Sequence, residues 1–194
     1  MKNNLFKLAV TLSLALLFLA SSARAQDNDG CSQATLKGDY AFTVSGTIWV
    51  GPNLVPVQRE GIAMTHFDGG GGLTQADLVF SGPGAPPPKG TAPGDILVVP
   101  TDQTTGFHNL EWGSYTVYQD CTGTFTINNP PIFDKTTGAT ISGAVIVVHF
   151  ALSDHGRSIH TVVTKFTPPG VEVTAPALIR SDGHKLGRIR EDWD

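Results

Sequence analysis

An all-β fold is predicted by three features of the chain. Beyond an N-terminal apolar stretch, no segment keeps helical periodicity over three turns, and short runs with a period of two recur about every ten to fifteen residues. Gly- and Pro-rich turns separate those runs, and Gly46, Gly61, Gly113 and Gly143 fall inside them, where strands bend sharply. A single antiparallel β-barrel is preferred to a β-sandwich because closure removes exposed edges.

Taken in order, Lys2 and Lys7 precede the apolar run Leu8 to Ala20 and then Ala23-Arg24-Ala25, the pattern of a secretory signal peptide over 1–25. The run is short for a membrane anchor, so the mature chain is expected to start at Gln26, secreted or periplasmic, with no membrane span. Tyr40, Phe42, Val44, Ile48 and Val50 alternate with small or hydroxylic residues and predict the first strand. Gly51-Pro52-Asn53 turns the chain into Val57 to Phe67, where Ile62, Met64 and His66 share one face. Asp68 to Gly72 is a tight reversal, and Leu73 to Phe80 is the return strand.

Five prolines between Ser81 and Gly94 predict an exposed loop. Ile96 to Val99 reads as a brief strand. Phe107 to Tyr118 leads into a hairpin spanning Gly113 to Ile127, with Asp120-Cys121 at its bend. The most apolar run, Ile141 to Leu152, pairs with Arg157 to Phe166 around Ser153-Asp154-His155-Gly156. Val171 to Ala175 and a strand running on to Ile179 complete the domain over 26–180, and 181–194 is expected to be a flexible tail.

Without Lys2, Lys7 and Arg24, ten basic residues face seventeen acidic ones, a net charge of about −7 that argues against nucleic acid as a partner. Cys31 and Cys121 are expected to be joined in an oxidising compartment. Closing a loop of about 90 residues would stabilise the fold by roughly 4–5 kcal/mol through the unfolded chain.

No motif states a reaction. There is no G-x-S-x-G, and the glycines at 69–72 lack the helix and Lys-hydroxyl pair of a phosphate loop. Ser153-Asp154-His155 and Ser181-Asp182-Gly183-His184 carry triad letters, but neighbours in one turn do not form a relay by adjacency. If the later hairpin is centred between Asp154 and His155, His149 lies across from His160, giving a candidate acid–base pair with Glu111. Metal binding with His66 or Glu111 as third ligand is the less favoured use of that pair, and neither metal nor cofactor is predicted. Tyr40, His66, Trp112 and Tyr115 are the candidate ligand-binding residues. Arg59, Glu60, Glu111 and Arg157 read by default as charges on a solvated face.

The pattern Cys31-Ser32, Gly38-x-Tyr40-x-Phe42, Phe67-Asp68-Gly69, Gly113-x-Tyr115-Thr116-Val117, Asp120-Cys121-Thr122-Gly123-Thr124 and Ile159-His160 resembles a group of small exported bacterial proteins of unknown function. The resemblance covers roughly Cys31 to Ala175 and implies a barrel similar to the calycin or allene oxide cyclase-like barrels. It supplies no catalytic residues. The expected function is binding of a small apolar molecule. The alternatives are an enzyme, hydrolase or isomerase, with a barrel-lining His/Glu site, and a surface module using the proline-rich loop.

Overall fold

The computed structural model describes residues 30–81, 97–98 and 107–187. The expected signal peptide over 1–25 and most of the proline-rich stretch lie outside them. Among the described residues eleven strands follow in chain order: β1 Lys37–Val50, β2 Val55–Asp68, β3 Gly72–Ser81, β4 Leu97–Val98, β5 His108–Val117, β6 Thr122–Asn128, β7 Ile132–Asp134, β8 Thr140–Ile141, β9 Val145–Ser153, β10 Ser158–Thr167 and β11 Ala177–Lys185. Eight form a closed antiparallel barrel in the order β1-β11-β10-β9-β6-β5-β3-β2, while β4, β7 and β8 make a small separate sheet. The barrel expectation therefore holds over the sandwich. No helix among the described residues is long and apolar enough to cross a membrane.

Alternation sets the inward face of each strand. Tyr40, Phe42 and Ile48 on β1 are buried, as are Ala63, Thr65 and Phe67 on β2, and Tyr115 and Val117 on β5. One end of the barrel is filled with aromatic rings. Phe67 meets Tyr40 edge-on at 5.5 Å, Tyr115 at 5.1 Å and Phe125 at 6.1 Å. The 3-10 turn Gln33–Leu36 lies over this stack with Leu36 fully buried. Both tyrosines end on backbone acceptors, Tyr40 Oη–H on the Gly156 carbonyl and Tyr115 Oη–H on the carbonyls of Gln33 at 3.1 Å and Leu36 at 3.3 Å. Tyr40 on β1 and Tyr115 on β5 thus anchor two strands to the segments that cover this end.

A disulfide joins Cys31 to Cys121, with 4.9 Å between their Cα atoms, and ties the turn over the barrel end to the β5–β6 hairpin. The Cys31 N–H also donates to the Gln119 carbonyl at 3.2 Å. On the other side of the same end, Asp68 Oδ1 accepts the N–H groups of Gly70, Gly71 and Gly72 at 2.7–2.9 Å and holds the β2–β3 reversal.

Two sequence expectations fail here. The run Ile141 to Leu152 is not one strand but β8 and β9, separated at Ser142 to Ala144. Ser181 to Lys185, assigned to the tail, form the second half of β11, which pairs with β1 from Ile48↔Ala177 to Tyr40↔Lys185 and with β10. Polar residues at 181–185 look tail-like because every outward position there is hydrophilic, and the inward ones are only Ser181 and Gly183. Glycine is required at 183 by packing, since a Cβ there would overlap the Phe42 and Ile159 side chains. A chain ending at Arg180 is therefore expected to lose its cooperative thermal transition, because β1 and β10 are left as open edges. A melting temperature within about 5 °C of the full chain would contradict the closure.

Candidate functional site

Above the aromatic floor the barrel is hollow. A cavity of about 280 Å³ fills the other half, where β3 leaves the barrel and β5 enters it. Val44, Ile146 and Val148 give most of its wall an apolar surface. Its polar and charged groups concentrate on the β2-β3-β5-β6 side: Arg59, Gln75, Asp77, His108 and Asn129. On the opposite wall, Thr161 and Ser181 satisfy each other at 2.5 Å.

A bulge builds this polar wall. Gln75 pairs with Glu111 and Asp77 with His108, so one residue of β3 opposes two of β5, Asn109 and Leu110. Leu110 absorbs the irregularity with φ of 64° and turns outward. Residues 108 and 111, which a regular strand would place on opposite faces, consequently both enter the barrel. His108 Nδ1–H donates to Asp77 Oδ1 at 3.1 Å, with the two side chains 18% and 14% exposed. That bond fixes the tautomer with Nε2 as an acceptor.

Glu111 lies deeper, 1% exposed. It accepts a hydrogen bond from Gln75 Nε2 at 2.9 Å and one from Asn129 Nδ2, while Gln75 Oε1 accepts from Thr65 Oγ1 at 2.8 Å. Burial pushes the Glu111 carboxyl up to about 8; the Asp77 charge adds to the rise and the Gln75 amide opposes it. Both amide donors favour the anion, but desolvation outweighs them. The buried Asn129 Oδ1 has no partner. Burial also lowers the pKa of the Arg59 guanidinium.

The sequence-predicted residues divide by location. Glu111 is buried behind the cavity's polar wall, bonded to Gln75 and Asn129 of that wall, and it borders the outer groove rather than the cavity. His149 and His160 both sit on the exposed outer face, and they are not opposite each other: His149 pairs with Val162 and His160 with Ala151. The reason is the turn, in which Ser153 pairs with Ser158 around a four-residue loop, with Asp154, His155 and Gly156 all at positive φ. Centring the hairpin one residue later moves the partners apart but leaves both rings outward. Tyr40 and Tyr115 are floor, buried among rings below the cavity. His66 and Trp112 are exposed on the outside, in a groove of about 450 Å³ that also takes in Asp39 and Leu110. Asp39 bonds His66 there at 2.7 Å. Of the four charged strand residues assigned to a solvated face, Glu60 and Arg157 are there, whereas Arg59 and Glu111 point inward. His108, Asp77, Gln75 and Asn129 were not singled out by sequence. Among the described residues no three His, Cys, Asp or Glu side chains converge as metal ligands.

No protein-family model matches the chain, and no curated protein matches it.

The buried carboxyl makes stability depend on pH in a defined direction. Its folded pKa of about 8 stands above the 4.5 of a free glutamate, so between those values the folded chain holds a proton that the unfolded chain has released. The stabilisation is complete below the lower value and is lost as pH rises through the upper one. Thermal melts are expected to show a wild-type midpoint that falls from pH of about 5 to about 9, and a Glu111→Gln midpoint with a flatter profile over the same window. Equal slopes in the two proteins would place the titration elsewhere.

Proposed function

We propose that this chain is an exported barrel that holds one small, largely apolar molecule, with a single polar group, in its internal cavity. The observation that carries the reading is the cavity itself: about 280 Å³, apolar over most of its wall, with polar side chains gathered on one side. Such a distribution favours an oriented ligand, in which apolar burial supplies affinity and a few fixed polar groups select the head. The Cys31–Cys121 bond and the signal-like N-terminus support export to an oxidising compartment.

A second reading rests on the His108–Asp77 pair. An imidazole oriented by a carboxylate inside an apolar cavity is suited to general acid–base work, so the barrel would transform its ligand rather than store it. Recovery of a bound ligand chemically unchanged after prolonged incubation favours storage. Recovery of an isomer or hydrolysis product favours catalysis.

Filling the cavity separates ligand binding from folding. Ala63 is an inward residue of β2 on the cavity wall, and Phe in its place would occupy the space above the floor. Calorimetric titration with 2-naphthol is expected to give one saturable site per chain in the wild type and none in Ala63→Phe, with the melting temperature of the variant showing that it folds. Equal binding by both proteins would move the site out of the barrel.

A further inference from the structure

Ser153, His160 and Asp182 lie on three adjacent strands, β9, β10 and β11, on the outer face near the filled end of the barrel. None of them lines the internal cavity or the outer groove. Register brings them together. His160 is directly opposite Asp182 on one side and Ala151 on the other, and Ser153, two residues beyond Ala151, is its diagonal neighbour. His160 Nδ1–H donates to Asp182 Oδ1 at 2.7 Å, and Ser153 Oγ–H donates to His160 Nε2 at 3.1 Å. The first bond holds the tautomer that leaves Nε2 as an acceptor. The second is the contact through which a general base removes a hydroxyl proton. His160 and Asp182 side chains are each 57% exposed, so a reactant reaches the row directly from solvent.

We propose that Ser153 is an activated nucleophile, with His160 as its general base and Asp182 as the positioning residue, acting on acyl esters that reach the outer wall from solvent. In the first step Ser153 Oγ bonds to the ester carbonyl carbon while its proton passes to His160 Nε2. The bond to the alcohol oxygen then breaks, and His160 gives the proton to the departing alkoxide. Water attacks the acyl-serine, one of its protons passes through His160 to Ser153 Oγ, and a carboxylic acid is released. This site is independent of the cavity. It also differs from the triad letters within single turns, because its three members are separated by 7 and 22 residues and are joined by strand pairing.

The test treats the full chain with an alkyl fluorophosphonate, in which Ser153 Oγ would displace fluoride at phosphorus, and maps the modified peptide by mass spectrometry. The expected result is one label per chain on Ser153. His160→Gln should slow labelling by at least about a hundredfold and Asp182→Asn by at least about tenfold, while Ser153→Ala abolishes it. Ser158→Ala, which removes the neighbouring hydroxyl bonded to His184 at 3.2 Å, should label like the wild type. All these side chains sit on the outer wall of the barrel, and thermal melts verify that each variant is folded. Absence of label on Ser153, or an unchanged labelling rate in folded His160→Gln, overturns the proposal.

Discussion

The edge-on stack around Phe67 decides what the barrel can contain. Three rings converge on one fully buried phenyl group, and two of them are tyrosines whose hydroxyls must find acceptors once they are buried. Those acceptors are carbonyls of Gly156, Gln33 and Leu36. The stack therefore fixes the turn before β1 and the β9–β10 turn over the same end. The disulfide adds a covalent tie from Cys31 to the hairpin between β5 and β6. Everything that fills the barrel is concentrated at this end, and the space above it stays open.

The upper half is shaped by a different device. A regular β5 would point either His108 or Glu111 to solvent; the bulge at Asn109 and Leu110 sends both inward, beside Asp77 and Gln75 of β3. A neutral carboxylic acid at Glu111 is the physical consequence of burying that group next to another carboxylate, and its two amide partners keep it oriented. Polar groups on one wall and aliphatic side chains around the rest give the cavity a direction.

The strand pattern was legible because period-two alternation with Gly/Pro turns survives even where the outer face carries residues such as Ile62 and Met64. The disulfide was legible from two cysteines and a signal-like N-terminus. Legibility failed where inference needed a register. The alternation Trp112, Leu110, His108 places His108 on the outer face in any regular strand, so only the bulge reveals it as a cavity residue. The His149–His160 contact depended on where the turn is centred, and the four-residue loop with three consecutive positive-φ residues sits one residue later. β11 was cut short because its inward positions beyond Ile179 are Ser181, which bonds Thr161 on the cavity wall, and Gly183, which the close approach of Phe42 and Ile159 requires, and neither reads as apolar.

The same antiparallel register thus presents two separate features, a partly open hollow on the inside and the Ser153–His160–Asp182 row on the outside. On the proposed function, a small apolar molecule goes into the hollow and not into the outer groove beside Trp112. Methyl-resolved NMR during titration with such a molecule tests it most directly. Occupation of the hollow should shift the methyl signals of Ala63, Val79, Ile127 and Val148, all on the cavity wall, together with a common saturation curve, while those of Leu36 and Ile159 in the floor change little. Shifts confined to Met64, Ala76 and Leu110 on the outer face would contradict it.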